Sequence, residues 1–242
     1  MPIGVIINSL SILTGGIFGA LAGHRFSPKF KADLTLVFGV CSMGMGISTI
    51  VLMEHMPAVI FSIILGSVIG LLLHVERWIN KGALLLQKPI TTLFKNQKSD
   101  LSEEDFLSTL VTIIVLFCAS GTGIYGSLSA GMTQDHTILI SKSILDFFTA
   151  AIFACSLGYV VSTICIPQFI LFFLLFILAG VILPLTTPEM INDFKACGGF
   201  LILATGFRMT SIKNFPIADM IPAMILVMPI SWIWTNFVMV LL

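Results

Sequence analysis

Apolar residues occur along the chain in long stretches that few polar residues interrupt. Eight of these stretches are close to the ~20 residues that an α-helix needs to cross the hydrocarbon core of a bilayer. The pattern predicts an all-α protein, a polytopic integral membrane helical bundle of about eight transmembrane helices, with residues 1–242 in a single transmembrane domain. The predicted spans cover residues 3–23, 33–53, 57–77, 107–128, 137–160, 165–184, 194–212 and 219–240.

Composition supports a membrane protein. Hydrophobic residues make up 57% of the chain and charged residues 10%, whereas an ordinary soluble domain contains about 25% charged residues. So few charges could not cover a soluble surface, and the expected surrounding is therefore the lipid bilayer. Lys plus Arg and Asp plus Glu number 12 each, which gives no indication of a nucleic-acid partner. The five cysteines include no Cys-x-x-Cys pair, so they predict neither a zinc site nor a disulfide framework.

One polar stretch, residues 78–106, predicts a connector between spans 3 and 4. Its first part, "WINKGALLLQKPI", mixes basic and leucine positions as a short helix at the membrane surface would. Ser102 and Asp105 then follow at a spacing typical of a helix N-terminus. We expect a solvated connector that contains an interfacial helix.

Basic residues indicate how the spans are oriented. Drawing eight spans places ten of the twelve on one side: Arg25, Lys29, Lys31, Arg77, Lys81, Lys88, Lys95, Lys98, Arg208 and Lys213. The positive-inside rule makes that side cytoplasmic, so the connector is predicted inside and both termini outside. Seven spans, with the fourth segment re-entrant, would divide the basic clusters between the two sides.

A weak internal repeat is also visible. A shift of 164 residues places spans 1–3 over spans 6–8 and aligns Phe30-Lys31-Ala32 with Phe194-Lys195-Ala196. Five spans separate the copies, so the second copy would be inverted, as in many secondary transporters. One shared tripeptide is expected by chance, and the inverted repeat is therefore only a hypothesis.

The fourth span contains a glycine pattern that would indicate dinucleotide binding in a soluble enzyme. Gly121, Gly123 and Gly126 satisfy G-x-G-x-x-G, and Asp146 follows twenty residues later, where such a fold binds the ribose. Flanking spans of lipid length exclude the parallel sheet that this motif requires, so no cofactor is predicted. Two interpretations remain open. The glycines either allow close helix packing or belong to a broken helix whose backbone around Gly121, Thr122, Gly123 and Gly126 contacts a substrate; the density of glycines and hydroxyls favours the second.

The fifth span contains the clearest candidate site. Lys142 and Asp146 share one helix face with Ala150, Ala154 and Gly158, so that face packs against another helix. A charge at a helix centre costs about 2.5–3.5 kcal/mol on insertion scales, so Asp146 must be paired, protonated or solvated. Two interpretations are again open: a structural ion pair with Lys142, or a cation or proton site. In the second, Lys142 pairs with the empty carboxylate or binds an anionic group.

Other polar and small residues add to this picture. Asn8 is an amide within the first span, where it either bridges helices or lines the same cavity as Asp146. Glycines at i+4 spacing, Gly15 with Gly19 and Gly66 with Gly70, predict close helix contacts within a subunit or in a homo-oligomer.

The sequence predicts no enzyme. The four histidines fall at the ends of spans without an H-E-x-x-H or paired-ligand spacing, which argues against a metal site. No nucleophile and base stand at a recognisable spacing, and no Walker A or G-x-S-x-G motif occurs.

Asn8 with Gly15-Gly16, then "GIYGSLSAG" and "ILISKSILDFFTAAIFACSLG", resemble the YqgA/YdfK-like family of bacterial inner-membrane proteins. The likeness covers nearly the whole chain and is most specific where the glycine run precedes Lys142 and Asp146. It implies a bacterial plasma-membrane protein and no established activity. Members of the family often carry Gly-Pro before the glycines, whereas this chain has Ser120-Gly121-Thr122.

Two functions fit these observations. The first is a transporter of a small solute or ion, with a site built by Asp146, Lys142, the broken fourth span and Asn8. The second is a non-transporting structural or regulatory membrane protein in which these residues only pack the bundle.

Overall fold

The computed structural model describes residues 1–22, 27–93 and 103–240. Several positions used above lie outside these ranges: Arg25, Lys95 and Lys98 of the basic clusters, and Ser102 of the predicted helix cap.

Helices joined by short turns make up most of the described residues, and no β-strand occurs among them. The α-helices are α1 (Ile3–Ala22), α2 (Pro28–Ile50), α3 (Met56–Leu73), α4 (Val75–Leu93), α5 (Glu103–Cys118), α6 (Gly121–Thr133), α7 (Thr137–Leu157), α8 (Cys165–Ile182), α9 (Pro188–Met209), α10 (Ile217–Met220) and α11 (Pro222–Ile233). Short 3₁₀ segments follow α7 and α8, at Gly158–Ile164 and Leu183–Leu185, and a π-helical turn, Trp234–Val238, follows α11. The all-α class is thereby confirmed.

Six helical stretches in the described chain are long and apolar enough to cross a membrane, against the eight predicted spans. One of the six, Thr137–Leu185, is 49 residues long and contains both α7 and α8. The helix α9 is not among the six, because its charged residues lower its hydropathy. It also begins at Pro188, six residues before the predicted span 194–212, and so includes Asp193. A helical membrane bundle is consistent with these helices, and the count of eight stays a prediction.

The described part of the predicted connector is helical. The helix α4 covers Val75–Leu93, which includes the first part of residues 78–106. Trp78 and Leu85 are exposed, and the Nζ atom of Lys81 lies 4.7 Å from the centre of the Trp78 ring. An interfacial position for α4 stays a prediction.

Contacts divide the chain into two compact units. Unit 1 comprises Met1–Thr35 and Trp78–Ala179, and unit 2 comprises Leu36–Arg77 and Gly180–Leu242.

In unit 1, α1 packs against α7 at backbone contact distance. A Cβ atom on Gly15 would lie 2.2 Å from the carbonyl oxygen of Phe147, and one on Gly19 would lie 2.0 Å from that of Ala151. Only glycine permits this approach, as expected for small-residue contacts between membrane helices. Because both residue numbers rise together along the contact, the two helices are parallel.

In unit 2, the helix pairs are antiparallel. Gly39 of α2 lies against Gly206 of α9, while Gly46 lies against Gly199, so the two helices run in opposite directions. The helices α3 and α11 are also antiparallel, with Gly66 against Ala223 and Gly70 against Asp219 of the preceding α10.

These directions agree with the predicted alternation of spans. Spans 1 and 5 should be parallel, whereas spans 2 and 7, and spans 3 and 8, should be antiparallel. A re-entrant fourth segment would make α1 and α7 antiparallel, which is not observed within unit 1. The 164-residue shift places α1, α2 and α3 over α8, α9 and α11 in order, and the inverted repeat stays a prediction.

A buried carboxylate organises unit 2. Asp193 is 0% exposed, and its Oδ1 accepts the backbone N–H groups of Glu54 and His55, both at 2.9 Å. Its Oδ2 accepts the Ser231 hydroxyl at 2.7 Å and lies 2.9 Å from His55 Nδ1. One side chain thus joins α9 to α11 and to the start of α3.

We expect Gly19→Ala to destabilise the protein by about 1–3 kcal/mol, because the added methyl group forces α1 away from α7. Thermal unfolding in detergent measures the effect. Gly44→Ala is the matched control: a Cβ atom there meets nothing within 4 Å, so helix propensity should leave stability unchanged or slightly higher. Equal melting temperatures for the two variants would contradict the close α1–α7 packing.

Asp193→Ala should also lower the melting temperature strongly. The substitution leaves two N–H groups and the Ser231 hydroxyl without their acceptor, at about 1–3 kcal/mol for each buried group. The exposed Asp33 provides the control, since Asp33→Ala removes a carboxylate from a solvent-accessible position. If both variants unfold at the wild-type temperature, Asp193 is not the acceptor that joins α9 to α11 and to the start of α3.

Candidate functional site

An ion pair lies in the middle of α7. Asp146 is nine residues beyond Thr137, the first residue of this 21-residue helix, which places it about 13–14 Å along the axis. The Lys142 ammonium donates to both oxygens of the Asp146 carboxylate at 2.7 Å. Both side chains are buried, so Lys142 turns inward to the carboxylate rather than reaching water.

Polar side chains from two other helices extend this pair. Asn8 of α1 donates its Nδ2–H to Asp146 Oδ2 at 2.8 Å. The Asn8 carbonyl oxygen accepts from Gln168 Nε2 of α8, and Gln168 Oε1 lies 2.6 Å from the Ser9 hydroxyl. These five residues, hereafter the polar chain, connect α1, α7 and α8 within unit 1.

The polar chain is almost completely enclosed. The exposed fractions are 0% for Asn8 and Gln168, 4% for Lys142, 6% for Asp146 and 8% for Ser9. In the apolar interior of a membrane bundle, an unpaired polar group would cost several kcal/mol, so its members must satisfy one another. The contact of α1 with α7 at Gly15 and Gly19 holds the helices close enough for Asn8 to reach Asp146.

The fourth span is broken. The helix α5 ends at Cys118 and α6 begins at Gly121, with Ala119 and Ser120 between them. Ser120 has an extended backbone, and its hydroxyl accepts the N–H of Gly123 at 3.2 Å, which is a helix N-cap. A serine cap therefore begins the second half-helix here without a proline.

The break is close to the ion pair. Cys118, the last residue of α5, is buried. Phe117 and Cys118 belong to the same buried cluster as Ala150 and Ala154, one and two turns beyond Asp146 on α7. The C-terminal end of α5 thus packs against α7 one to two turns from Asp146.

The glycines of α6 make apolar contacts. Gly121, Thr122, Gly123 and Gly126 are all buried. A Cβ atom on Gly123 would meet the ring of Phe172, and one on Gly126 would meet the Leu139 side chain. Their surroundings thus indicate close packing at these two positions, and substrate contact by the α6 backbone stays a prediction.

Of the residues predicted for the site, Asn8, Lys142 and Asp146 come together directly. Sequence reasoning missed Ser9 and Gln168. Both are uncharged polar residues inside an apolar span, the signal that identified Asn8. Gln168 lies only three residues into its predicted span, where a polar residue is unremarkable.

A groove of about 380 Å³ between α1 and α8 borders the polar chain at Ser9. Its other lining residues are apolar or cysteine, and include Leu10, Cys165 and Phe169. In the part of the chain that the structure describes, no three His, Cys, Asp or Glu side chains are close enough to bind a metal ion together.

Comparison with known proteins agrees with the resemblance seen in the sequence. The family described as "Protein of unknown function (DUF554)" matches residues 3–232. The chain is 46% identical over 235 residues to "Uncharacterized protein YqgA" of Escherichia coli (strain K12), which covers 97% of this chain and 98% of that protein. It is 25% identical over 229 residues to "Uncharacterized membrane protein YdfK" of Bacillus subtilis (strain 168), covering 92% and 93% of the two chains. No solved structure matches it significantly.

The apolar helices and the relative named as a membrane protein agree with a multi-pass membrane protein. With a family match over residues 3–232 and a relative at 46% identity over 97% of its length, this chain belongs to the DUF554 family.

Proposed function

We propose that this protein transports a small solute or ion across the bacterial plasma membrane. Asp146 binds a cation or proton, Lys142 pairs with it in the empty state, and the broken span supplies backbone groups to the substrate. The observation that carries the proposal is the buried Lys142–Asp146 pair, joined to Asn8 beside a helix break. Orientation follows the basic residues, with both termini outside, and the small-residue contacts are compatible with a homo-oligomer.

Energetics favour a role for the pair beyond packing. A charged group at the centre of a membrane helix costs about 2.5–3.5 kcal/mol on insertion scales. Replacing a buried ion pair with apolar residues of similar volume is often neutral or stabilising. The order of the pair, base before acid along the helix, is also the less favourable one. A pair that only held helices together would be a poor choice at this depth.

The helix break supports the same interpretation. Discontinuous helices near the bilayer centre are a recurring feature of secondary transporters, because their free backbone ends interact with substrates and coupling ions. Here the end of α5 before the break lies in one buried cluster with Ala150, one turn beyond Asp146, and Asn8 and Gln168 add polar groups from α1 and α8.

One observation favours a second candidate, a non-transporting structural or regulatory protein. Asp146 already receives hydrogen bonds from Lys142 and Asn8, and the adjacent groove is lined largely by apolar side chains. In that case the polar chain would act as a bridge between α1, α7 and α8.

We expect proteoliposomes of the wild-type protein to dissipate an imposed Na⁺ or H⁺ gradient at least about tenfold faster than the Asp146→Asn variant. A loss of only about 1.4 kcal/mol in barrier stabilisation changes a rate tenfold. Uptake of ²²Na⁺ measures the Na⁺ flux, and a pH-sensitive dye enclosed in the vesicles measures the H⁺ flux. Glu54→Gln, in unit 2, is the matched control and should keep the wild-type rates. Equal rates for wild type and Asp146→Asn would contradict the proposed site.

An exchange of the two charges separates the candidates. If the pair is only structural, Asp146→Asn should lower the melting temperature in detergent, and the double variant Lys142→Asp/Asp146→Lys should restore it. If the pair is a transport site, the exchanged pair should recover stability without recovering flux, because the carboxylate moves one helical turn from Asn8. Recovery of both stability and flux would contradict a position-specific carboxylate.

A further inference from the structure

The hydrogen bonds of the polar chain can run in two directions. The Ser9 hydroxyl has one proton, yet two acceptors lie within reach, Val5 O at 3.0 Å and Gln168 Oε1 at 2.6 Å. Carboxamide groups present an acceptor oxygen and a donor nitrogen of nearly the same shape. A half-turn of the Gln168 and Asn8 amides therefore gives a second set of hydrogen bonds among Asn8, Gln168 and Ser9 on the same heavy-atom framework.

In the second direction, the hydrogen bonds between Asn8 and Gln168 and between Gln168 and Ser9 exchange donor and acceptor. Ser9 donates to Val5 O, Gln168 Nε2 donates to the Ser9 oxygen, and Asn8 Nδ2 donates to Gln168 Oε1. The reversal leaves Ser9 with one acceptor for its one proton. It also turns Asn8 Oδ1 toward Asp146.

The direction of the hydrogen bonds in the polar chain then depends on whether a positive species lies between Asp146 and Asn8. In the first direction, the Asn8 N–H donates at 2.8 Å to the carboxylate that is paired with the Lys142 ammonium. In the second, two oxygen atoms face each other across that contact, which is unfavourable unless a positive species lies between them. The polar chain thus has one arrangement for an empty carboxylate and another for an occupied one.

The available ligands suit a hard cation of single charge. Carboxylate and carboxamide oxygens are the donors that hard metal cations prefer. Asp146 is the one acid in the polar chain and Lys142 its one base, so replacing the ammonium by a monovalent ion leaves the buried charge unchanged. A divalent ion would leave an uncompensated positive charge in the apolar interior.

Two further features allow such an exchange. The carbonyl end of α5 is at Cys118, in the same buried cluster as Ala150, one turn beyond Asp146 on α7, and helix C-termini favour cations. Lys142 is five residues beyond the start of α7 at Thr137, so its long side chain can extend toward that end of the helix after release.

We propose that Asp146, with Asn8 Oδ1 as a neighbouring ligand, binds a monovalent alkali cation that replaces the Lys142 ammonium and reverses the Asn8–Gln168–Ser9 hydrogen bonds. The inference deepens the proposed function by naming the coupling ion of the same site, and it rests on that function.

The test is binding of ²²Na⁺ to the purified full-length protein in detergent, with KCl as competitor and choline chloride keeping ionic strength constant. Wild type should bind ²²Na⁺, and Lys142→Met should bind it at least about tenfold more tightly, because the competing ammonium is gone. Asp146→Asn should not bind. Asn8→Leu should bind more weakly by a similar factor, whereas Ser11→Ala, a neighbour on α1 outside the polar chain, should bind as wild type does.

Thermal unfolding provides a second readout that does not depend on tight binding. Lys142→Met leaves a buried carboxylate without its partner, so NaCl or KCl should raise its melting temperature more than choline chloride does. The double variant Lys142→Met/Asp146→Asn should show no such difference. If Lys142→Met is instead stabilised only by lower pH and by neither salt, Asp146 takes up protons alone and the cation proposal is overturned.

The two proposals can fail separately. Flux of H⁺ that depends on Asp146, without ²²Na⁺ or K⁺ binding, would overturn the alkali-cation site and leave the transport proposal standing. Binding of ²²Na⁺ that depends on Asp146, without flux of any gradient, would support the cation site and overturn transport.

Discussion

The close parallel packing of α1 on α7 is the contact on which the candidate site depends. Gly15 and Gly19 place the α1 backbone directly against the carbonyl groups of Phe147 and Ala151. At that separation Asn8 reaches Asp146, one turn above Lys142 on the same helix. The hydrogen bond between Asn8 and Asp146 is needed because the apolar interior offers no water to satisfy a carboxylate or an amide. Packing and polar pairing therefore determine one another.

The two compact units meet the same requirement with different chemistry. In unit 1 a carboxylate is neutralised by a lysine, and neutral amides extend the pair across three helices. In unit 2 the fully buried Asp193 is satisfied by two backbone N–H groups, a histidine ring and a serine hydroxyl. Asp193 thus has the character of a structural anchor at the start of α3. The Asp146 carboxylate is instead paired with the Lys142 ammonium and accepts from the Asn8 amide, so its hydrogen bonds come from side chains of α7 and α1.

Much of this could be predicted from the sequence, because membrane helices obey strong local constraints. Lipid-length apolar stretches gave the helical class, and the i+4 spacing gave the shared face of Lys142 and Asp146. The glycine density and the neighbouring hydroxyls favoured a break in the fourth span; the structure has one between Cys118 and Gly121, before the glycines, which lie within α6. The ends of α9 and the partner Gln168 could not be predicted. The first depends on a buried charge, Asp193, that a hydropathy pattern assigns to a loop. The second depends on which helix packs beside α1, a tertiary fact that no periodicity encodes.

A double-mutant cycle between Asn8 and Asp146 tests the central claim most directly. The free energies of unfolding of wild type, Asn8→Leu, Asp146→Asn and the double variant would be measured in one detergent under reversible conditions. Residues in direct hydrogen-bonded contact couple by about 0.5–3 kcal/mol, whereas distant and independent sites are additive within about 0.3–0.5 kcal/mol. Coupling above that limit is the result expected if α1 holds Asn8 against Asp146. Additive effects of the two substitutions would contradict it.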